Sequence, residues 1–415
     1  ACLGSTMLPA LEAATCAQRL NPSGHCVCQG ASPACASRPP PRSRAVPVLA
    51  AAVGCALGQV SRHTSRTRHL RRVLQPFAIE PINPFMAEMK ANVKGLAENG
   101  LGILDAEGAG RELMSCLEAA GMEPNEESRQ RWREFCYTNG LQPYCSAVIM
   151  EEEALKYTDK DSRSLPQILS DQGVVPAMRV DQGFVPLNSF GEKGTEGIVL
   201  LKERCEDYYK SGVRIAKWRT QLECNLEMPT DVAVWENSDC IARAARICQA
   251  NGLAFIAEIQ TSQNTGSHSI ERTAYVCEKF YSNVVRSMNE YDVNLEAVAF
   301  TIDTCAAGPD AMVPLSDQVA RYTVRTLMRT LPPATGAVLL LAGEVAPEEA
   351  VRNAKAVQDE AADMTWEVAP VYGTGLLNPV ISAWASGEED TARELLQRLL
   401  DACKSAQLAD AESPR

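Results

Sequence analysis

Beyond about residue 80 the chain alternates between short apolar runs and longer segments with helical spacing. The runs are Gly102–Glu107, Ser146–Met150, Val174–Val180, Val213–Arg219, Ala254–Glu258, Ala297–Thr301, Ala337–Leu341 and Trp366–Val371. Each spans five to seven residues, the length of a strand buried on both faces. Between them, Cys240 to Asn251 sets Ile241, Ala244, Ala245 and Cys248 on one helical face before Asn251-Gly252 ends it. Leu395, Leu396, Leu399, Leu400 and Cys403 form an apolar stripe on the last helix, read as core packing. Eight such strands alternating with helices predict an α/β fold, a closed parallel (β/α)8 barrel.

In that architecture chemistry gathers where strands end at the C-terminal face. Those ends supply Glu107, Arg179, Lys217 with Arg219, Glu258, Thr301, and the glycines Gly343 and Gly373. Lys217 and Glu258 interrupt apolar runs, where an unpaired charge costs several kcal/mol. A mutual ion pair and a functional site both account for them; the mouth location favours the second. Arg219 reads equally as a salt-bridge partner or a phosphate ligand. Gly343 and Gly373-Thr374-Gly375 stand where such barrels hold phosphate, although short glycine loops are also common turns.

Charge narrows the function classes. Residues 1–75 hold nine arginines, no lysine and one acid, Glu12, whereas the remainder carries 31 basic and 51 acidic residues, a formal charge of −20. So acidic a body is a poor general binder of nucleic acid. No apolar run reaches the ~20 residues of a membrane span; the longest, Val46 to Val60, contains Gly54 and Gly58. One histidine, His268, lies beyond residue 75, which argues against a multi-histidine metal site; no metal and no cofactor is expected. Cys26-Val27-Cys28 lacks a matching second pair, and the ten cysteines beyond residue 75 sit mostly in apolar patterns, as buried reduced thiols do. The first 75 residues, with Pro39-Pro40-Pro41 and an arginine cluster from Arg62 to Arg72, read as a disordered presequence. A plastid address is expected, with mitochondrion and cytoplasm as alternatives. The predicted organisation is a presequence at 1–75, the barrel at 80–408 and a short disordered tail at 409–415.

Several segments together resemble the class I fructose-bisphosphate aldolase family. They are Leu165-Pro-Gln-Ile-Leu169, Gly173 to Asn188 (GVVPAMRVDQGFVPLN), Ala216-Lys-Trp-Arg219, Arg243 to Gly252 (RAARICQANG), Leu331-Pro-Pro-Ala334 and Tyr372-Gly373. The similarity runs from about Asn83 to Ser405. It implies cleavage of fructose 1,6-bisphosphate to dihydroxyacetone phosphate and glyceraldehyde 3-phosphate, in glycolysis, gluconeogenesis or the Calvin cycle. It also implies an iminium formed by a lysine late in the sixth barrel strand. That lysine must be partly desolvated to be a neutral amine.

The resemblance fails at that lysine. In Leu295-Glu-Ala-Val-Ala-Phe-Thr-Ile-Asp303 the matching position is Thr301, and no lysine lies between Lys279 and Lys355. The family's strand-one aspartate becomes Glu107 and its strand-three lysine Arg179; Lys217, Arg219 and the acid/base Glu258 are retained, while the neighbouring glutamate is Gln260. Phosphate contacts are eroded: two serines become Ala342 and Val371, an arginine becomes Thr374, and a basic pair becomes Ser115 and Cys116. The expected protein is therefore an aldolase-family barrel of impaired catalysis. Two alternatives stand beside it: a non-catalytic scaffold or binding subunit, and a Schiff-base enzyme using Lys217 on a changed sugar phosphate. A sugar phosphate and other aldolase-type subunits are the expected partners.

Overall fold

The structure, a computed structural model, describes residues 83–408 apart from 108, 263–265, 342–346 and 363. The chain divides into two units at Pro76/Phe77, and every described residue lies in the second. The predicted presequence, the 409–415 tail and Gly343 lie outside the described residues.

Ten strands follow in chain order: β1 Gly102–Asp105, β2 Cys145–Met150, β3 Val175–Arg179, β4 Phe184–Pro186, β5 Lys193–Thr195, β6 Ile215–Glu223, β7 Ala254–Ser262, β8 Val298–Ile302, β9 Ala337–Leu341 and β10 Val368–Tyr372. Eight close a barrel in the order β1-β10-β9-β8-β7-β6-β3-β2, every pairing parallel. Each predicted run is one barrel strand. Two strands outlast their predicted ends by four residues, because Thr220–Glu223 continues the ladder against Ile259–Ser262, and β8 and β10 each run one residue further than predicted. Arg219 and Glu258 thus lie within their strands rather than at the tips. The small antiparallel hairpin β4–β5 has no counterpart among the predicted runs.

Alternation along the strands builds two cores. Outward residues such as Leu104, Val148, Met178, Trp218, Phe255, Phe300 and Val338 pack under the surrounding helices. Inward residues fill the barrel with small and branched side chains: Ile103, Ala147, Ile149, Ala177, Ile215, Ala254, Ile256, Ala299, Ala337, Leu339, Ala369 and Val371. The helix Met86–Ala97 joins this inner core through Met89, Val93 and Leu96, all fully buried. It packs across the N-terminal end of the barrel. The predicted helical face at Ile241, Ala244, Ala245 and Cys248 is fully buried on the helix Asp231–Ala250. In the Leu395–Cys403 stripe Leu396 and Leu400 are buried, and the rest pack partly buried against the same core.

The helix Met86–Ala97 leaves no slack where it meets β9. A Cβ added at Gly336 would lie 2.5 Å from Val93 Cγ1 and 2.7 Å from the Glu296 carbonyl oxygen. One of those contacts is backbone and cannot rotate away. Gly336→Ala is therefore expected to lower stability by about 1–3 kcal/mol, read from the urea midpoint. An unchanged midpoint would show that the helix shifts freely against the barrel.

Candidate active site

Strand parity aims the polar groups at one point. Ile103 faces the barrel interior, so Asp105 two residues on faces it too. Ile215 leads in the same way to Lys217 and Arg219, Ile256 to Glu258, Ala299 to Thr301, and Ala177 to Arg179. Apolar layers thus give way to a charged layer at the mouth.

Lys217 is the centre of that layer. Its ammonium donates to Asp105 Oδ2 at 2.5 Å and pairs with Glu258 Oε2 at 2.6 Å and Glu107 Oε1 at 3.3 Å. Only 1% of the side chain reaches solvent. Burial by itself would drive the proton off, but Asp105, Glu107 and Glu258 outweigh it and hold the pKa above its ordinary value. Glu258 behaves in the opposite sense. Burial pushes its carboxyl up to about 8 against the pull of Lys217, and repulsion from Glu107 and Asp105 adds to the rise. Glu107 is likewise raised by burial, which Lys217 opposes.

Arg219 forms a second centre. Its guanidinium reaches Glu107 Oε1 and Asp181 Oδ1, both at 3.3 Å, and lies over the Phe184 ring at 5.2 Å. Burial works against its charge, but Glu107 and Asp181 lead the groups that raise its pKa. Arg179 is less committed: its Nε lies 4.0 Å from Glu107 Oε2, and 30% of its side chain is exposed. Thr301 sits beside Glu258 in the β7–β8 register, 1% exposed, and its hydroxyl has no hydrogen-bond partner. Gly373 caps the N-terminus of the helix Thr374–Ala385, and nothing lies within 4 Å of where its Cβ would stand. A helix N-terminus is the kind of place where backbone N–H groups meet an anion.

Among the described residues, no group of three or more His, Cys, Asp and Glu is arranged to hold a metal ion. No described helix is long and apolar enough to cross a membrane.

The predicted residues Glu107, Arg179, Lys217, Arg219, Glu258 and Thr301 meet at this mouth, and Gly373 opens a helix after β10. Two carboxylates were missed. Asp105 was readable from parity with Ile103, two residues earlier on the same strand. Asp181 lies inside the quoted GVVPAMRVDQGFVPLN segment, but its role depends on the turn after β3. There its carboxylate accepts from the Arg219 and Gly183 backbone N–H groups as well as from the guanidinium.

Comparison with known proteins fixes the lineage. The family model for fructose-bisphosphate aldolase class-I matches residues 88–413. The chain belongs to the class I fructose-bisphosphate aldolase family. It is 33% identical over 314 residues to fructose-bisphosphate aldolase 5, cytosolic, of Arabidopsis thaliana, covering 75% of this chain and 87% of that one. The fructose-bisphosphate aldolase of Dictyostelium discoideum is also 33% identical, over 319 residues, with 75% and 89% covered. Among solved structures, the aldolase of Plasmodium falciparum in complex with TRAP and a small molecule inhibitor superposes with a TM-score of 0.75. It shares 31% identity and covers 80% of this chain and 97% of that chain.

The resemblance read from the sequence sets residue 301 against the family's Schiff-base lysine. The position is intact as a location: inward, buried and beside Glu258. Its side chain is a hydroxyl, which has no amine lone pair to give.

Proposed function

We propose that this aldolase-family chain has kept the barrel and a charged pocket for a sugar phosphate or related anion, and has given up iminium chemistry. It acts as a binding or scaffold subunit. The observation that carries this reading is the state of the mouth's one lysine. Thr301 removes the family nucleophile, and Lys217 is clamped as an ammonium by three carboxylates within 3.3 Å. An iminium needs the neutral amine.

What remains suits binding. Arg179 is partly exposed, and the open helix N-terminus at Gly373 offers N–H groups to a phosphate. Exposed apolar side chains at Val199, Leu200, Met312 and Val313 offer surface to a protein partner. The Plasmodium falciparum aldolase, a barrel of this family, was solved in complex with TRAP and a small molecule inhibitor. The arginine-rich, acid-poor first 75 residues support a plastid address for the subunit.

The test is borohydride trapping on the full chain with fructose 1,6-bisphosphate or dihydroxyacetone phosphate, read by intact mass and peptide mapping. No adduct is expected, and cleavage at least ~10⁴-fold slower than in an active family member, the order of loss when a covalent nucleophile is removed. An adduct on Lys217, abolished by Lys217→Met, would establish a relocated nucleophile and sink the scaffold reading.

A further inference from the structure

Asp105 is the mouth carboxylate that the family pattern does not call on, and it is doubly committed. Its Oδ1 accepts the Glu107 backbone N–H at 3.2 Å, fixing the side chain in a turn. Its Oδ2 takes the Lys217 ammonium at 2.5 Å. The other two carboxylates divide their attention or their charge. Glu107 also faces Arg219 at 3.3 Å and Arg179 at 4.0 Å. Glu258 is the most buried of the three, with 3% of its side chain exposed against 5% for Glu107 and 12% for Asp105. Among the ion pairs of the described residues, Asp105 has no cation but Lys217.

We propose that Asp105 is a positioning residue that locks Lys217 in its ammonium form, so that the mouth holds a latent amine nucleophile gated by one carboxylate. The inference rests on the reading that the wild-type mouth makes no iminium, and adds which residue enforces it. The charged groups facing Lys217 are Asp105 at the end of β1, Glu107 just beyond it and Glu258 on β7, with Arg219 two residues along its own strand. Arg179 on β3 is held beyond Glu107. Removing the Asp105 charge leaves Glu258, itself reluctant to ionise, and a Glu107 shared with Arg219. The lysine then releases its proton at lower pH.

The experiment is reductive methylation of the full chain with formaldehyde and cyanoborohydride across pH 6 to 10, quantified residue by residue by peptide mapping. The Nζ lone pair adds to the formaldehyde carbon, water leaves as the iminium forms, and hydride from cyanoborohydride reduces the C=N bond. Formaldehyde is small enough to enter without any phosphate site. In wild type, exposed lysines such as Lys202 are expected to label while Lys217 stays unmodified. In Asp105→Asn, Lys217 is expected to label at least ten times faster at pH 8, with its pH midpoint lowered by a unit or more. Asp105→Glu, which restores the charge, is expected to return Lys217 towards silence, an outcome that a purely structural role would not produce. Circular dichroism confirms folding, and Asp105→Ser replaces the asparagine variant should that one unfold. Equal Lys217 labelling in wild type and the uncharged variants overturns the lock while leaving the binding-subunit reading intact. Sugar-phosphate trapping at Lys217 in wild type removes the reading itself.

Discussion

Lys217→Met is expected to cost about 3–5 kcal/mol of folding stability, the order found when one partner is removed from a buried charge cluster. Methionine matches the chain's length and leaves little cavity, so the loss is electrostatic. Asp105, Glu107 and Glu258 lose the cation they share, in a mouth where their side chains are 12% exposed or less. The pH dependence separates this from a packing defect. Lys217 has its folded pKa raised above the unfolded value. Its contribution is fully present below the unfolded lysine pKa and is lost only as pH rises through the folded one. At neutral pH wild type therefore keeps the whole term. In the variant the stranded carboxylates take up protons on acidification, so the difference between the two proteins should shrink towards pH 5. Urea melts at pH 5 and pH 8 measure this. A loss equal at both values would mean that the cluster is not what holds the mouth together.

Thr301→Lys is expected to restore a borohydride-trappable adduct with dihydroxyacetone phosphate, mapped to residue 301. The position faces the mouth from β8, and its register neighbour Glu258 offers a carboxyl beside it. Lys217 already satisfies the carboxylates that would otherwise clamp a new amine. Burial at 1% exposure then works in the direction that frees the lone pair. The change is from no adduct to one per chain. Turnover should nonetheless fall short of an active family member, because the resemblance sets Ala342, Val371 and Thr374 where the family is expected to carry phosphate-binding serines and an arginine. A folded variant without adduct would show that something beyond the missing lysine silences the pocket.

Tertiary contacts add to what the sequence offered for two charged residues. Arg219 was open as a phosphate ligand or a salt-bridge partner. The structure pairs it with Glu107 and Asp181 and sets it against Phe184, which leaves Arg179 the more available cation. Glu258 was recognised as an acid/base position, and its burial beneath Lys217 raises it to about 8.

The sequence by itself determined the architecture, since eight apolar runs separated by helical spacing admit one closed solution and each run became a strand. It also determined that β8 carries no lysine, because the stretch between Lys279 and Lys355 contains none and no folding can amend that. Only the tertiary structure decided how the charges divide. Asp105 and Lys217 stand 112 residues apart, and Lys217 and Glu258 are brought together by the register of adjacent parallel strands. Period-two alternation says which residues look inward, but the balance between burial and Coulomb attraction depends on distances within one crowded layer. That balance fixes Lys217 as an ammonium, and no local pattern along the chain contains it.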